Sequence, residues 1–211
     1  MQSFLIADSS SGSDSFVFRG GRDYIHSSDF LGFIESALEP RGRDLKVRID
    51  FLRPIRSHVR LVVADQLEQK LWEPPLAMVG VDSDSGIHNR YSVLAEPHEA
   101  LPGRKEAFRG VVDTTYHAGG YCADVSSRSL QSFLYDIVSC MKIHWQTFHS
   151  SKDKIPLVRR VEINLPFTPP NHIEGCCQPL KLGAQRWSFK EQDGNRVLLN
   201  IDCILLSSSP Q

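Results

Sequence analysis

The chain has 211 residues, of which 41% are hydrophobic and 23% are charged, and its formal net charge is -1. A chain of this length and composition can bury a core of its own, as one large domain or as two small ones. The charge gives no global attraction to nucleic acid, and no segment approaches the roughly 20 apolar residues of a membrane-spanning helix. The N-terminus lacks a basic region followed by an apolar signal segment, so we predict a cytoplasmic protein that binds neither nucleic acid nor membrane.

The cysteines are spread along the chain and do not form a metal-binding motif. No two of the five have CxxC spacing, and their odd number argues against a disulfide framework. We therefore predict neither a metal site nor a tightly bound cofactor. The sequence also lacks a Walker loop, a GxGxxG fingerprint, an HExxH motif and a GxSxG elbow, which excludes the usual nucleotide-binding, zincin and hydrolase-elbow classes.

The first predicted half covers residues 1–100 and contains one buried helix. The run Phe30–Leu38 is apolar around most of a helical circumference, which predicts burial on more than one side. Ser27 or Ser28 is the predicted N-cap, because a hydroxyl oxygen can accept a bond from a free N–H of the first turn. Strands are predicted at Met1–Ile6, Phe16–Phe18, Val47–Leu52, His58–Val63, Leu76–Val81 and Tyr91–Leu94, with the last two forming a hairpin.

The second predicted half covers residues 106–206, after a seam between Pro97 and Lys105, and a loose tail follows at residues 207–211. Apolar residues from Ser127 to about Phe148 recur at i, i+3, i+4 and i+7, which predicts a long helix. The predicted strands of this half are Gly110–Tyr116, Val158–Leu165, Leu180–Lys190 and Arg196–Leu206, with Asp193-Gly194-Asn195 as the turn of the last hairpin.

The stretch after the first helix reads Ile49-Asp50-Phe51-Leu52-Arg53-Pro54-Ile55-Arg56. It resembles the strand that follows the central helix in hot-dog thioesterases and dehydratases, and each half repeats the order of short strand, buried helix and antiparallel strands. An antiparallel sheet wrapped around a helix buries that helix on most sides. The resemblance therefore implies an α+β protein with two hot-dog-like halves, a double hot dog similar to the dehydratase domains of polyketide synthases.

The resemblance also implies a function, which is the handling of an acyl group held as a thioester on acyl carrier protein or coenzyme A. We expect dehydration by proton transfer, a lyase reaction of fatty-acid-like or polyketide-like metabolism. The alternatives are a hot-dog thioesterase and a non-catalytic double hot dog that binds an acyl chain or a protein. The sequence leaves a homodimer open.

His26 is the predicted general base, because it lies where an extended segment meets the buried helix. From there it would project into a cleft between the halves, and free N–H groups of the helix start would hold the carbonyl oxygen. Alternatively, His26 caps the helix or faces water. Dehydratases of this kind carry a glycine and a proline at set spacing after this histidine, whereas His26 is followed by Ser27-Ser28-Asp29-Phe30 with no such proline. The resemblance implies Asp124 or Asp136 as the carboxylate that protonates the departing hydroxyl.

Two further candidates precede the second helix. His117 lies next to Gly119 and Gly120, where the lack of side chains would allow a ligand to approach the backbone closely. Cys122 could act as a nucleophile with His117 as its base. The plainer interpretation is that Cys122 is a small buried apolar residue, which is the commoner state of a cysteine.

Glu35 and two arginines complete the candidate residues. Glu35 lies among apolar residues of the first helix, where it could activate water in a thioesterase, and it would need Arg48 or Arg53 as a partner if buried. Arg53 and Arg56 could bind the phosphates of a phosphopantetheine or coenzyme A arm. Solvated charges at a strand edge are the commoner explanation for such arginines.

Overall fold

A computed structural model describes residues 18–19, 24–38, 44–63, 74–84, 86, 88–95, 104–105, 113–148, 154–191 and 196–207. The chain divides into two compact units, the first made of Met1–Phe108 with Asn164–Pro166 and the second of Arg109–Ile163 with Phe167–Gln211. Within the described ranges, each unit contains one α-helix and an antiparallel sheet. No helix in these ranges is both long and apolar enough to cross a membrane.

Some predictions fall outside the described ranges. They concern the strand at Met1–Ile6, the turn at Asp193–Asn195, most of the seam between the halves and the tail beyond residue 207. The bounds of the two halves therefore stay predictions. Ser207 itself is the last residue of a strand.

In the first unit, helix α1 (Ser27–Leu38) follows one short strand in the chain and precedes the other strands. Four strands form an antiparallel sheet in the order β3-β5-β4-β2, and two further short strands, β1 and β6, pair with each other in parallel. The predicted helix, the alternating strand after it and the hairpin are all confirmed. The strands are β1 (Phe18–Arg19), β2 (Leu45–Phe51), β3 (Val59–Val63), β4 (Ala77–Ser83), β5 (His88–Ala95) and β6 (Arg104–Lys105).

The core of the first unit follows from two periodicities. Along β2, Val47 and Ile49 are fully buried while Arg48 between them is exposed, as expected for a strand with one wet face. On α1, Phe30 is also fully buried, and its ring packs edge-on against that of Phe51, 5.4 Å away between centroids. The helix therefore packs on the strand that follows it in the chain.

In the second unit, helix α2 (Leu130–Phe148) comes after a β-hairpin in the chain and is followed by four longer strands. Its strands have the order β9-β12-β11-β10-β8-β7, with every neighbouring pair antiparallel. They are β7 (Asp113–His117), β8 (Gly120–Asp124), β9 (Lys154–Leu165), β10 (His172–Pro179), β11 (Ala184–Glu191) and β12 (Val197–Ser207).

Two of these strands were not predicted, and one helix start was wrong. Strands β8 and β10 contain glycine, and β10 ends in proline, so their local sequences disfavour a strand. Each is nevertheless paired on both sides, which supplies the stability that local preference lacks. Helix α2 begins at Leu130 rather than at Ser127, because its first turn closes on the Ser129 carbonyl, which accepts the bond from Phe133 N–H.

Helix α2 buries one broad face in the second unit. The Tyr121 hydroxyl, fully buried on β8, donates a 2.9 Å hydrogen bond to the carbonyl of Ile137 on the helix. The Tyr121 ring also packs against Trp187 of β11, with 5.6 Å between the centroids. The buried helix residues are Leu130, Phe133, Leu134, Asp136, Ile137, Cys140, Met141, His144 and Trp145.

Strands β8 and β10 approach each other closely at two glycines. A Cβ on Gly120 would lie 1.9 Å from the carbonyl oxygen of Gly175, so no other residue fits at position 120. We predicted that the glycines near His117 would let a ligand approach the backbone. At Gly120 the backbone that approaches is instead that of the neighbouring strand.

Candidate functional site

The start of α1 is capped by a histidine. The carbonyl of His26 accepts the hydrogen bond from Phe30 N–H at 3.2 Å, which closes the first helical turn and makes His26 the N-cap residue. Its imidazole Nδ1 accepts the backbone N–H of Ser28 at 3.3 Å. The predicted cap at Ser27 or Ser28 is therefore wrong, and the imidazole performs the task that a serine hydroxyl usually performs.

His26 and Ser28 make a second contact through their side chains. The Ser28 hydroxyl lies 2.7 Å from the same Nδ1 atom. Both residues are almost entirely inaccessible, with 4% of His26 and 1% of Ser28 exposed. Of the sequence alternatives for His26, capping is confirmed and facing water is wrong, while the role of a general base stays a prediction.

Asp136 is a buried carboxyl group on α2. Only 4% of the residue is exposed, and it lies at the margin of the buried helix face. The hydroxyl of Ser127 donates a hydrogen bond to its Oδ2 atom. Its other oxygen, Oδ1, is buried and has no hydrogen-bond partner among the described residues.

Burial changes the protonation of this group. Loss of water raises the pKa of the Asp136 carboxyl above its ordinary value of 3.8, and the hydrogen bond from Ser127 opposes that change in part. Burial is also the main reason why the pKa of the Tyr121 hydroxyl is raised, and the charge of Asp136 adds to that effect. Asp136 is thus a carboxyl group that holds its proton more tightly than a solvated aspartate.

Asp124 has a different environment from Asp136. It ends strand β8, its side chain is 64% exposed, and its Oδ1 accepts a 2.6 Å bond from Nδ1 of His172. His172 lies directly opposite on β10 and is itself exposed. This pair is a solvent-screened contact across two strands. Of the two aspartates named from the sequence, only Asp136 is buried.

His117 and Cys122 lie on the hairpin β7-β8. His117 is exposed, and its carbonyl accepts a 2.9 Å bond from Nε2 of the buried His144. Cys122 is half-buried and faces Thr115 across the hairpin, whereas His117 faces Gly120. The two residues are therefore not opposite each other, and their pairing as nucleophile and base stays a prediction.

Glu35 is half-buried near the end of α1. Burial raises the pKa of its carboxyl above the ordinary value of 4.5. The predicted arginine partners are engaged elsewhere, because Arg48 donates to Asp50 at 2.9 Å and Arg53 donates to the Pro74 carbonyl. Within the described ranges neither arginine pairs with Glu35.

Arg53 and Arg56 are both exposed in the segment between β2 and β3. Their predicted role in binding phosphates stays a prediction. Among the described residues, no cluster of three or more His, Cys, Asp or Glu side chains could hold a metal ion.

Comparison of the sequence alone finds no matching family model and no matching curated protein. Comparison of the structure gives a different result. A tesB protein of Mycobacterium avium subspecies paratuberculosis aligns over 91% of both chains, with a TM-score of 0.52 and 11% identity. The dehydratase domain of PpsC from Mycobacterium tuberculosis, in complex with C12:1-CoA, has a TM-score of 0.49 and 11% identity over 92% of this chain and 86% of that one.

A conserved protein with the hot-dog fold from Alicyclobacillus acidocaldarius has a TM-score of 0.44 and 9% identity, over 90% of this chain and 89% of that one. The likeness to the tesB protein, together with one described helix and one antiparallel sheet in each unit, decides the fold. The chain has the hot-dog fold. The predicted α+β class with a hot-dog-like arrangement in both halves is confirmed.

Two site residues of the hot-dog halves were missed. Ser127 was proposed only as part of the helix, and Ser28 only as a cap, yet each hydroxyl contacts a candidate acid–base group. For Ser28 the available signal was its place two residues after His26, which puts it in the first turn. For Ser127 the sequence carries no such signal, because its contact depends on how the loop before α2 folds back.

Proposed function

We propose that this hot-dog chain is an enzyme that acts on an acyl group held as a thioester, on acyl carrier protein or coenzyme A. The proposed reaction is the dehydration of a 3-hydroxyacyl chain. The observation that carries the proposal is Asp136, a buried carboxyl group with a raised pKa and one oxygen without a partner among the described residues. Such groups cluster at functional sites. The fold supports the substrate class but does not by itself fix the reaction.

One carboxyl group can serve both proton transfers of this reaction. The ionised Oδ1 of Asp136 takes the proton from the alpha carbon, and the electron pair of that C–H bond forms the carbon–carbon double bond. The C–O bond to the hydroxyl breaks at the same time. Oδ1 then gives the proton to the departing hydroxyl, which leaves as water, and the carboxylate is restored. Ser127 holds Oδ2, so Oδ1 is the oxygen that exchanges the proton.

The raised pKa suits this task. A carboxyl group that both takes and gives a proton works best when its pKa lies near the working pH, and desolvation moves Asp136 in that direction. The acid limb of the kcat/KM profile should therefore lie above the usual range of aspartate. The hydrogen bond from the Ser127 hydroxyl lowers the pKa of Asp136. Removing that hydroxyl should therefore move the acid limb to still higher pH.

The test is turnover of a panel of 3-hydroxyacyl and saturated acyl coenzyme A thioesters, followed by mass spectrometry. We expect the wild type to remove water from a hydroxyacyl substrate, and Asp136→Asn to lose about 10²- to 10⁴-fold in kcat. Asp124→Asn is the matched control, because it makes the same change at an exposed carboxylate. Equal activity of wild type and Asp136→Asn would contradict the proposal.

A thioesterase is the second candidate function, and Glu35 favours it. This carboxyl group is half-buried on α1 with a raised pKa, and it could activate a water molecule for attack on the thioester carbonyl. Release of free thiol from saturated thioesters by wild type, and its loss in Glu35→Gln, would support hydrolysis over dehydration. If both wild type and variants return every substrate intact, a non-catalytic acyl or protein binder is the better description.

A further inference from the structure

The centre of strand β4 holds a glycine that the fold does not require. Gly80 lies between the buried Val79 and Val81, so it belongs to the opposite, outer face of the first unit's sheet. Its φ angle is not positive, and a Cβ built on it would meet nothing nearer than the Arg48 carbonyl oxygen at 4.0 Å. A glycine weakens the interior of a strand. Neither backbone conformation nor packing explains this one.

Two exposed arginines flank Gly80 in the sheet. Arg48 of β2 pairs with Gly80 on one side, and Arg90 of β5 pairs with it on the other. Directly paired residues of neighbouring strands point to the same face, so both arginines share the outer face with Gly80. Their Cα atoms are two strand spacings apart, which is roughly 10 Å. Gly80 places no side chain between them.

The guanidinium groups of this row have hydrogens left to donate. Among the described residues, the Arg48 guanidinium donates only from Nε, to Asp50 at 2.9 Å, and the Arg90 guanidinium has no hydrogen bond or ion pair. The second carboxylate on this face, Asp82 of β4, lies 2.8 Å from Nδ1 of His88. Both acids of the face thus have a basic neighbour, while Arg90 carries a charge that no described acid pairs with.

We propose that Arg48, Gly80 and Arg90 form a binding site for a carboxylate group of an acidic partner protein. The carboxylate enters over Gly80 and is held by both guanidinium groups. A glycine inside a strand often marks a place where a ligand approaches the backbone closely. The planar guanidinium group matches a carboxylate with two parallel hydrogen bonds. An anion between the two arginines also offsets their mutual repulsion.

The surroundings of this row favour a protein partner over a small anion. The outer face is open, since the side chains of Asp82 and His88 in the next row are 56% and 74% exposed. A free phosphate ion would keep most of its water there and gain little from each contact. Lys46, exposed in that same row, offers a cation to a second acidic side chain of one partner. The formal net charge of -1 disfavours nucleic acid.

Binding at this surface is independent of the proposed acyl-thioester chemistry and is measured without turnover. The first experiment follows ¹H–¹⁵N spectra of the full chain while a hexaglutamate peptide is added at low salt, with hexaglutamine as the uncharged control. We expect the largest shifts at the amides of Gly80 and its neighbours in β2, β4 and β5, and weaker binding as salt is raised. No binding of hexaglutamate, or shifts spread evenly over both units, would overturn the proposal.

Three arginine variants test the specificity of this binding. Arg48→Gln and Arg90→Gln should each weaken hexaglutamate binding about tenfold, because each removes one charged donor. Arg196→Gln makes the same change of charge at an exposed arginine of the second unit and should leave the affinity unaltered. An equal loss in all three variants would show general charge attraction and overturn the site.

The second experiment separates binding from stability at position 80. Gly80→Ala adds a Cβ for which there is room, and Gly80→Val adds a branched side chain of the kind that strands favour. Thermal stability should be unchanged or raised, while hexaglutamate affinity falls, more for valine than for alanine, because the side chain occupies the space between the arginines. If Gly80→Val does not fold, Gly80→Ala alone makes the comparison. Reduced stability of Gly80→Ala, or full binding by a folded Gly80→Val, would overturn the proposal.

The same spectra decide the class of partner. Inorganic phosphate and a short DNA duplex are each added in place of the peptide. We expect neither to match hexaglutamate in affinity at this row. If phosphate alone reproduces the shifts with the same losses in Arg48→Gln and Arg90→Gln, the site takes a small anion. If the duplex binds more tightly through the same two arginines, it takes nucleic acid. Either result would overturn an acidic protein as the partner.

Discussion

The two helices of this chain solve the same local problem with different chemistry. Phe30 and Phe133 each close a first turn on the carbonyl of the residue four positions earlier, which makes His26 and Ser129 the corresponding N-caps. At α1 the cap is a buried imidazole. At α2 the cap is the exposed Ser129, whose hydroxyl accepts a hydrogen bond from Ser132 N–H at 3.2 Å. In return, the Ser132 hydroxyl accepts a hydrogen bond from Ser129 N–H at 3.3 Å. The fold is repeated, but the groups that could do chemistry are not.

The sheets differ in the same manner. Starting from the strand that follows the helix, the first unit has the order β2-β4-β5-β3, whereas the second has β9-β12-β11-β10. The third and fourth strands after the helix therefore exchange places. The third one, β4, lies beside β2 in the first unit, whereas the fourth one, β12, lies beside β9 in the second. A shared arrangement of helix and sheet tolerates both orders, so the likeness of the two halves concerns the packing of layers rather than each strand in turn.

Core packing should respond equally in the two halves. Phe30 and Phe133 are both fully buried at the fourth position of their helices, and each packs against another phenylalanine, at 5.4 Å for Phe51 and 5.0 Å for Phe167. We expect Phe30→Ala and Phe133→Ala each to lower the free energy of unfolding by about 3–5 kcal/mol. Urea denaturation measures both. A loss in one variant only would show that one helix contributes little to its core.

The buried carboxyl group of the second half, Asp136, should make stability depend on pH. Its pKa in the folded protein is raised above 3.8, so the folded state binds the proton more tightly than the unfolded state. The free energy of unfolding therefore falls as pH rises from about 4 towards the folded pKa. Asp136→Asn removes this loss, so the variant should gain relative to wild type over that interval. An unchanged difference across pH, measured by urea denaturation, would contradict the burial of the charge.

The two caps offer a smaller effect that compares them directly. Removing an N-cap acceptor costs about 1 kcal/mol, so His26→Ala and Ser129→Ala should each lower Tm by roughly 2–4 °C. Thermal unfolding followed by circular dichroism measures the change. If His26→Ala is neutral while Ser129→Ala is not, the imidazole is not a structural cap.

The smallest expected effect belongs to the exposed pair of Asp124 and His172. Surface ion pairs contribute about 0–1 kcal/mol and are screened by salt. His172→Ala should therefore change stability by less than about 1 kcal/mol and leave turnover unaltered. A large loss of activity would return Asp124 to the list of catalytic candidates.

The sequence predicted the elements whose signal is local. Both helices show strong apolar periodicity, and the alternation of Val47 and Ile49 with polar residues marks β2. Strands β8 and β10 could not be predicted in this way, because Gly120 and Gly175 have meaning only when the two strands are side by side. Pairing between distant segments is a property of the fold and not of a short window.

Only part of the candidate site was predicted, because its contacts also depend on how distant segments pack. The sequence singled out His26 at a helix start, but the usual preference for serine hid the imidazole cap. It also named Asp124 and Asp136 without separating them. Asp124 ends a strand in water, while Asp136 lies at the margin of a buried helix face, and this difference depends on where each element packs.

The close contact between Gly120 and the Gly175 carbonyl fixes the register in which β8 pairs with β10. If β8 slid along β10 by two residues, the Cβ of Ala118 or Cys122 would meet that carbonyl, and a slip of one residue would turn every side chain to the wrong face. Strand β8 can therefore pair with β10 in one register only. That register sets where the chain leaves β8 at Asp124, and with it the loop from which Ser127 reaches Asp136. Two residues without side chains thus determine the position of the chemistry several residues away.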